Sequence, residues 1–159
     1  MSDLQNPALA LEGFQDAFNA GFIRPHASDL FSDLVVLHDA ADGAPRYTYA
    51  MLDGETVKAI AVFFLEKVIG QYPCFDIGYA VAEPYRNQGN AHGIVEKSLA
   101  QFQRDLGVHV PKYYVEAVVL KSNNASQKVA AAALGIEPEE IIDSVSGKPA
   151  LLYRGYFEV

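Results

Sequence analysis

Residues 85–93 read Tyr-Arg-Asn-Gln-Gly-Asn-Ala-His-Gly, between a strand-like run (Cys74–Val81) and a helical one (Ala91 to Leu106). A turn rich in Gly and Asn at such a junction leaves backbone N–H groups unpaired and pointing one way. The positive end of the following helix adds to their attraction for anions. Arg86, at the start of the turn, can bring a charged fork to the same anion. The stretch Arg86, Asn87, Gln88, Gly89, Asn90, Ala91 and His92 is therefore a candidate pyrophosphate site. It has no Gly-Lys-Ser/Thr ending and no Gly-x-Gly-x-x-Gly, which argues against a nucleotide-hydrolysing loop and a dinucleotide site.

Other reactive residue types carry less. Cys74 has no histidine placed beside it by sequence and reads as a small apolar strand residue. His26, His38, His92 and His109 show no metal-ligand spacing, so no metal is expected. Glu137, Glu139, Glu140 and Asp143 read as a solvated surface cluster able to attract a cation. Glu116 lies inside a strand-like run, either a reserve base or half of an interstrand pair.

The elements that must position these residues follow from periodicity. Residues Leu9–Ala20 have helical spacing with Gly21 as a stop, and Ser28-Asp29 reads as the start of a short helix. Leu34–Leu37 is a short strand, closed by a turn over Asp39–Pro45. Arg46–Leu52 and Thr56–Val68 form a hairpin through Asp53-Gly54. Gly70–Pro73 turns into the strand Phe75–Val81. After the anion turn, Ile94, Val95, Leu99, Phe102 and Leu106 make one apolar helical stripe. Then come a strand (Tyr113–Leu120), a compact buried helix (Ser126–Leu134) and a closing strand (Pro149–Tyr156). The order is several antiparallel strands, then strand–helix–strand–helix–strand, a mixed α/β (α+β) sheet flanked by helices.

The 159 residues, half of them apolar and a fifth charged, fit one domain over 1–159 with an ordinary core. The net charge of −8 argues against nucleic acid as a partner and is compatible with a cationic substrate. No apolar run reaches membrane length, and the N-terminal residues lack the basic region of a signal peptide. One cysteine excludes an internal disulfide and fits a reducing, cytoplasmic setting.

Arg86-x-x-Gly89-x-Ala91 resembles the Q/R-x-x-G-x-G/A signature of the GNAT N-acyltransferase superfamily. Asp76-Ile-Gly-Tyr-Ala-Val81 resembles the strand entering that loop, and Asn123-Asn-Ala-Ser126…Leu134-Gly135-Ile136 resembles its later N-x-x-S…L-G-F segment. The three occur in family order from about Phe75 to Ile136. The resemblance implies a GNAT-like fold with a central, mostly antiparallel mixed sheet. It also implies an acetyl-CoA cosubstrate, no metal, and a primary amine acceptor on a small molecule or a protein. The main chain of Ala80, Val81 and Ala82 would meet the pantetheine arm, with small Gly78, Ala80 and Ala82 allowing close approach.

Acyl transfer from a thioester to an amine needs a base for the ammonium, an N–H for the oxyanion and an acid for the thiolate. By resemblance the base is Asp76, which shares a strand face with Gly78 and Ala80, and Ser126 lies near the sulfur. Asn123 contacts the pantetheine or caps the helix; one extra residue before Gly135 makes Asn124 the alternative. Many members carry a tyrosine in this helix, but Ala130–Ala133 offer no hydroxyl, so the acid is Ser126, Tyr79, Tyr153 or solvent. That gap also motivates an alternative, a non-catalytic acyl-CoA-binding module. Edge strands at the C-terminal side could pair in a homodimer.

Overall fold

Alternation along the strands decides which side chains face which helices. In the computed structural model, which describes residues 6–41 and 43–158, eight strands form one sheet. They are β1 (His26–Ala27), β2 (Leu34–Ala41), β3 (Ala44–Asp53), β4 (Thr56–Ile69), β5 (Tyr72–Val81), β6 (Lys112–Leu120), β7 (Glu139–Ile142) and β8 (Pro149–Glu158). The sheet order is β1-β2-β3-β4-β5-β6-β8-β7, antiparallel except for β5 against β6. Helix α1 covers Pro7–Ala20, α2 Asn90–Gly107 and α3 Asn124–Leu134. Residues 1–5, read from sequence as lacking a signal peptide, lie outside the described ones.

Tyr49, Met51, Ala59, Ala61, Phe63, Phe75 and Ile77 point to one face and pack with α2 and α3. The predicted stripe of α2 supplies Phe102, whose ring stacks on Phe63 at 4.2 Å and meets Tyr49, Phe75 and Tyr113 edge-on. The intervening Ala50, Ile60 and Val62 face the other way, onto Phe14 of α1. The sheet is thus covered on both faces, with α1 the only helix on its side among the described residues.

Several sequence boundaries move. No helix starts at Ser28. Its Oγ accepts from the amides of Leu30 and Phe31 at 3.1 Å and donates to Gln101 Oε1 at 2.5 Å. The capping chemistry is present, but it closes a turn in front of β2. The expected turn over Asp39–Pro45 is narrower, since β2 runs on to Ala41 and β3 begins at Ala44. Helix α3 starts two residues before Ser126, and only Val129, Ala130 and Leu134 of it are buried, so it is one-sided. Glu139 and Glu140 belong to an edge strand hidden from sequence by its charge, and Glu140 pairs with Lys121.

Candidate active site

The site begins where two strands part. β5 and β6 are in register only at Cys74↔Tyr114, Phe75↔Val115 and Asp76↔Glu116. Both continue beyond that point, to Val81 and Leu120. The Ala82 amide donates to Lys58 O at 2.8 Å, which by antiparallel alternation turns Ala80 toward β4 as well. The main-chain groups of Tyr79 and Val81 therefore face the gap. Of the expected trio, Ala82 N–H is already engaged and Val81 O accepts from Arg86 Nε; the main chain of Tyr79 lies beside that of Val81 along the gap.

At the end of β5 the chain makes a 3-10 turn (Glu83–Tyr85) and enters the anion loop. Asn87 has φ 61° and Gly89, the N-cap of α2, has φ 80°, a region glycine occupies without strain. The loop is braced by its own side chains. Gln88 Nε2 donates to Pro84 O (3.1 Å), Asn90 Nδ2 to Tyr85 O (2.9 Å) and Tyr85 Oη to Asp53 Oδ2 (2.9 Å). The first helical bond runs from Gly93 N to Gly89 O. Among the described residues no acceptor reaches the amides of Asn87 through His92. These are the free donors that an anion would collect.

The gap and the loop together open into a groove of about 430 Å³. Of the sequence candidates, Ala80, Val81, Arg86, Asn87, Gly89, Asn90, Ala91, His92, Asn123 and Ser126 line it. Ala82 and Gln88 do not, each being turned to an internal partner. Arg86 Nε donates to Val81 O at 3.1 Å, so the guanidinium is moored at the mouth. Tyr85, the first residue of the stretch read from sequence, also lines the groove; sequence reading missed Ala125, Lys128 and Val129, which line it too. No motif marked Lys128; α3 brings it there by packing one turn beyond Asn124.

Across the gap, Tyr79 Oη lies 2.7 Å from Ser126 Oγ and donates to Ser126 O at 3.1 Å. Burial pushes the Tyr79 phenol up, and the Ser126 hydrogen bond opposes that. Asn123 Oδ1 accepts from Ser126 N at 3.1 Å, so it caps α3 at the groove wall. Tyr79 and Ser126, two of the alternatives for the missing helix tyrosine, are thereby brought together. Tyr153 is buried in the core.

Asp76 sits on the opposite side. By strand alternation it faces away from Tyr79, into a cavity of about 220 Å³ with Glu66, Gly78, Val118 and Asp143. Asp76 and Gly78, expected to face the presumed cleft, thus stand away from the anion-loop groove, which Ala80 does line. A Cβ on Gly78 would lie 2.9 Å from Pro7 Cγ of α1, so Gly78 is small for helix packing. Ala80 likewise packs with the core under α1. Burial foremost, then the charges of Glu66 and Glu116, raise the Asp76 carboxyl to about 7.

Glu116, the reserve base, is 1% exposed and bound by Lys67 (2.8 Å) and Arg154 (Nε, 2.6 Å). Burial pushes its pKa up, but the two cations outweigh that and hold it low, so it stays charged and occupied. Cys74 is fully buried and its thiol is pushed up to about 12 by burial, which removes it as a nucleophile. Among the described residues no cluster of His, Cys, Asp or Glu is arranged to hold a metal.

Residues 13–135 match the family described as the acetyltransferase (GNAT) domain. Similar solved structures include a GNAT-family acetyltransferase from Streptococcus pneumoniae (11% identity, TM-score 0.54, covering 70% of this chain and 66% of that one). Another is the NatC complex bound to Gag peptide and CoA (17% identity, TM-score 0.55, 68% and 69% covered). A third is a spermidine N-acetyltransferase chimera from Vibrio cholerae and hSSAT (8% identity, TM-score 0.54, 69% and 66% covered). At these identities the likeness concerns the fold, and this chain spans about two thirds of each of those chains. No curated protein sequence matches it.

Proposed function

The chain belongs to the GNAT acetyltransferase family, and from that premise we propose that it moves an acetyl group from acetyl-CoA to a primary amine by direct attack in a ternary complex. One observation carries the reading: an anion loop with free amides and the half-buried carboxyl of Asp76 stand on opposite faces of β5 where it parts from β6.

The free amides of Asn87–His92 and the Arg86 guanidinium bind the pyrophosphate, with Lys128 adding positive charge on the far wall. The main chain of Tyr79 and Val81 holds the pantetheine arm as an added strand would, and offers an N–H to the thioester carbonyl. The acceptor ammonium enters from the α1 side and gives its proton to Asp76. A base with pKa near 7 matches that transfer at neutral pH better than an ordinary aspartate. The Tyr79–Ser126 pair donates a proton to the departing thiolate, a role for which α3 carries Ser126 but no tyrosine. Attack of the amine nitrogen on the acyl carbon forms the C–N bond and breaks the C–S bond; of the two protons the ammonium loses, the first goes to Asp76 and the second restores the Tyr79–Ser126 pair after it has protonated the thiolate.

The acids beside Asp76 favour a cationic acceptor over a neutral one. We further take residues 1–159 as one domain and the setting as cytoplasmic; no helix among the described residues is long and apolar enough to cross a membrane. The test is thiol release from acetyl-CoA over a panel of amines. Turnover should be lost in Asp76→Asn while acetyl-CoA binding is kept. Tight binding with no turnover on any amine would instead favour a non-catalytic acyl-CoA module.

A further inference from the structure

Strand β4 carries one residue too many opposite β5. Their register runs one to one up to Leu65↔Phe75 and resumes at Lys67↔Cys74, so Glu66 is a bulge. Such a bulge lets two consecutive side chains share a face. Glu66 lines the cavity beside Asp76, while Lys67 reaches Glu116, which is in register with Asp76 and on the same face. Without the extra residue, one of the two would point through the sheet.

The cation so delivered does not pair with Asp76. Lys67 Nζ lies 2.8 Å from Glu116 Oε1, and Arg154, in register with Glu116, holds the other oxygen. Glu116 therefore occupies both neighbouring cations. The other titratable groups facing Asp76 are Asp143, from the loop before β8, and the buried Cys74 thiol on the same face of β5; Pro7 from α1, Phe64 from β4, Val118 from β6 and Ser144 are among its uncharged neighbours. Asp143 is held charged by the Val145 amide and Ser146 hydroxyl.

We propose that Glu66, set by the bulge, and Glu116, by sequestering Lys67 and Arg154, are positioning residues that keep Asp76 free of a cation and poised to accept the acceptor's proton. The proposal rests on Asp76 being the base. A lysine left free at this distance would form a salt bridge with Asp76, lowering its pKa by roughly 1–3 units and weakening it as a base.

The test follows the Asp76 carboxyl directly, by carbon-detected NMR titration, in the wild-type chain, E66Q, K67M and E116Q. The pH profile of kcat/KM is measured on the same proteins. E66Q should lower the Asp76 midpoint and K67M should raise it, each by on the order of half a unit to one unit. E116Q should lower it further, because Lys67 and Arg154 are released. E66Q and K67M alter partly exposed side chains, so the opposite-signed pair stands even if E116Q fails to fold. Loss of a merely structural contact would not move the midpoint in two directions. An Asp76 midpoint unmoved in both E66Q and K67M overturns the proposal. A midpoint that moves while the acid limb of kcat/KM stays still leaves the coupling intact and removes Asp76 as the base.

Discussion

Asp76 is where the chemistry of single residues is most exposed to measurement. Its carboxyl is raised to about 7 in the folded chain, mainly by burial. Activity that needs the deprotonated form should therefore climb as pH rises through about 7, seen as the acid limb of kcat/KM. The same shift has a stability consequence. In the unfolded chain the group titrates near 4; between that value and about 7 the unfolded chain releases a proton that the folded one retains. The contribution is thus fully present below pH 4 and lost as pH rises to 7. Asp76→Asn removes that loss, so wild type and variant should diverge by on the order of 2–4 kcal/mol between pH 4 and pH 8 in denaturant titrations. Arg86→Ala should leave the melting temperature unchanged and weaken acetyl-CoA by roughly tenfold or more, read by calorimetry, as a charge-assisted bond to phosphate is lost. Tyr79→Phe should lower kcat with little change in KM, because the phenol acts on the leaving group.

At the scale of elements, the anion loop depends on one backbone conformation. Gly89 sits at φ 80° as the N-cap of α2, where a β-branched side chain is strained. Gly89→Val should cost binding more than Arg86→Ala does, since the loss of loop geometry misaims several amides at once; equal effects in calorimetry would contradict this. These features were legible from residue order: the strand, the Gly-rich turn and the apolar stripe of α2 lie consecutively in the chain. The face on which Asp76 stands was not. The alternation of β5 correctly grouped Asp76 with Gly78 and Ala80, but strand periodicity has two faces and no sign. The packing of Pro7 against Gly78, and of Ala80 with the cluster around Phe14, shows that this is the α1 face. The short helix expected at Ser28 failed for a related reason, since the same hydroxyl that caps a helix also closes a turn, and Gln101 of α2 drew it into one.

For the whole molecule, a ligand filling the groove would touch β5, the loop, α2 and α3 together. Acetyl-CoA at about 100 times its Kd should then stabilise the fold by roughly 2.7 kcal/mol, raising Tm by several degrees. ATP, which shares the phosphates but not the pantetheine arm, should raise it less. The sheet ends are short strands, β1 of two residues and β7 with Glu139 and Glu140 on its outer edge. Short, charged edge strands discourage strand pairing between chains.

What the residue order alone determined was local: the free amides of a strand–turn–helix, the hairpin at Asp53-Gly54, and the family that the three spaced segments resemble. Backbone propensity and turn chemistry act over a few residues, so they can be read without knowing what lies across the chain. What only the tertiary structure decided was which groups meet. Tyr79 reaches Ser126 across 47 positions of sequence, Glu116 holds Lys67 and Arg154, and a single extra residue in β4 sets Glu66 beside Asp76. Register and burial create those meetings, and both are properties of the assembled sheet.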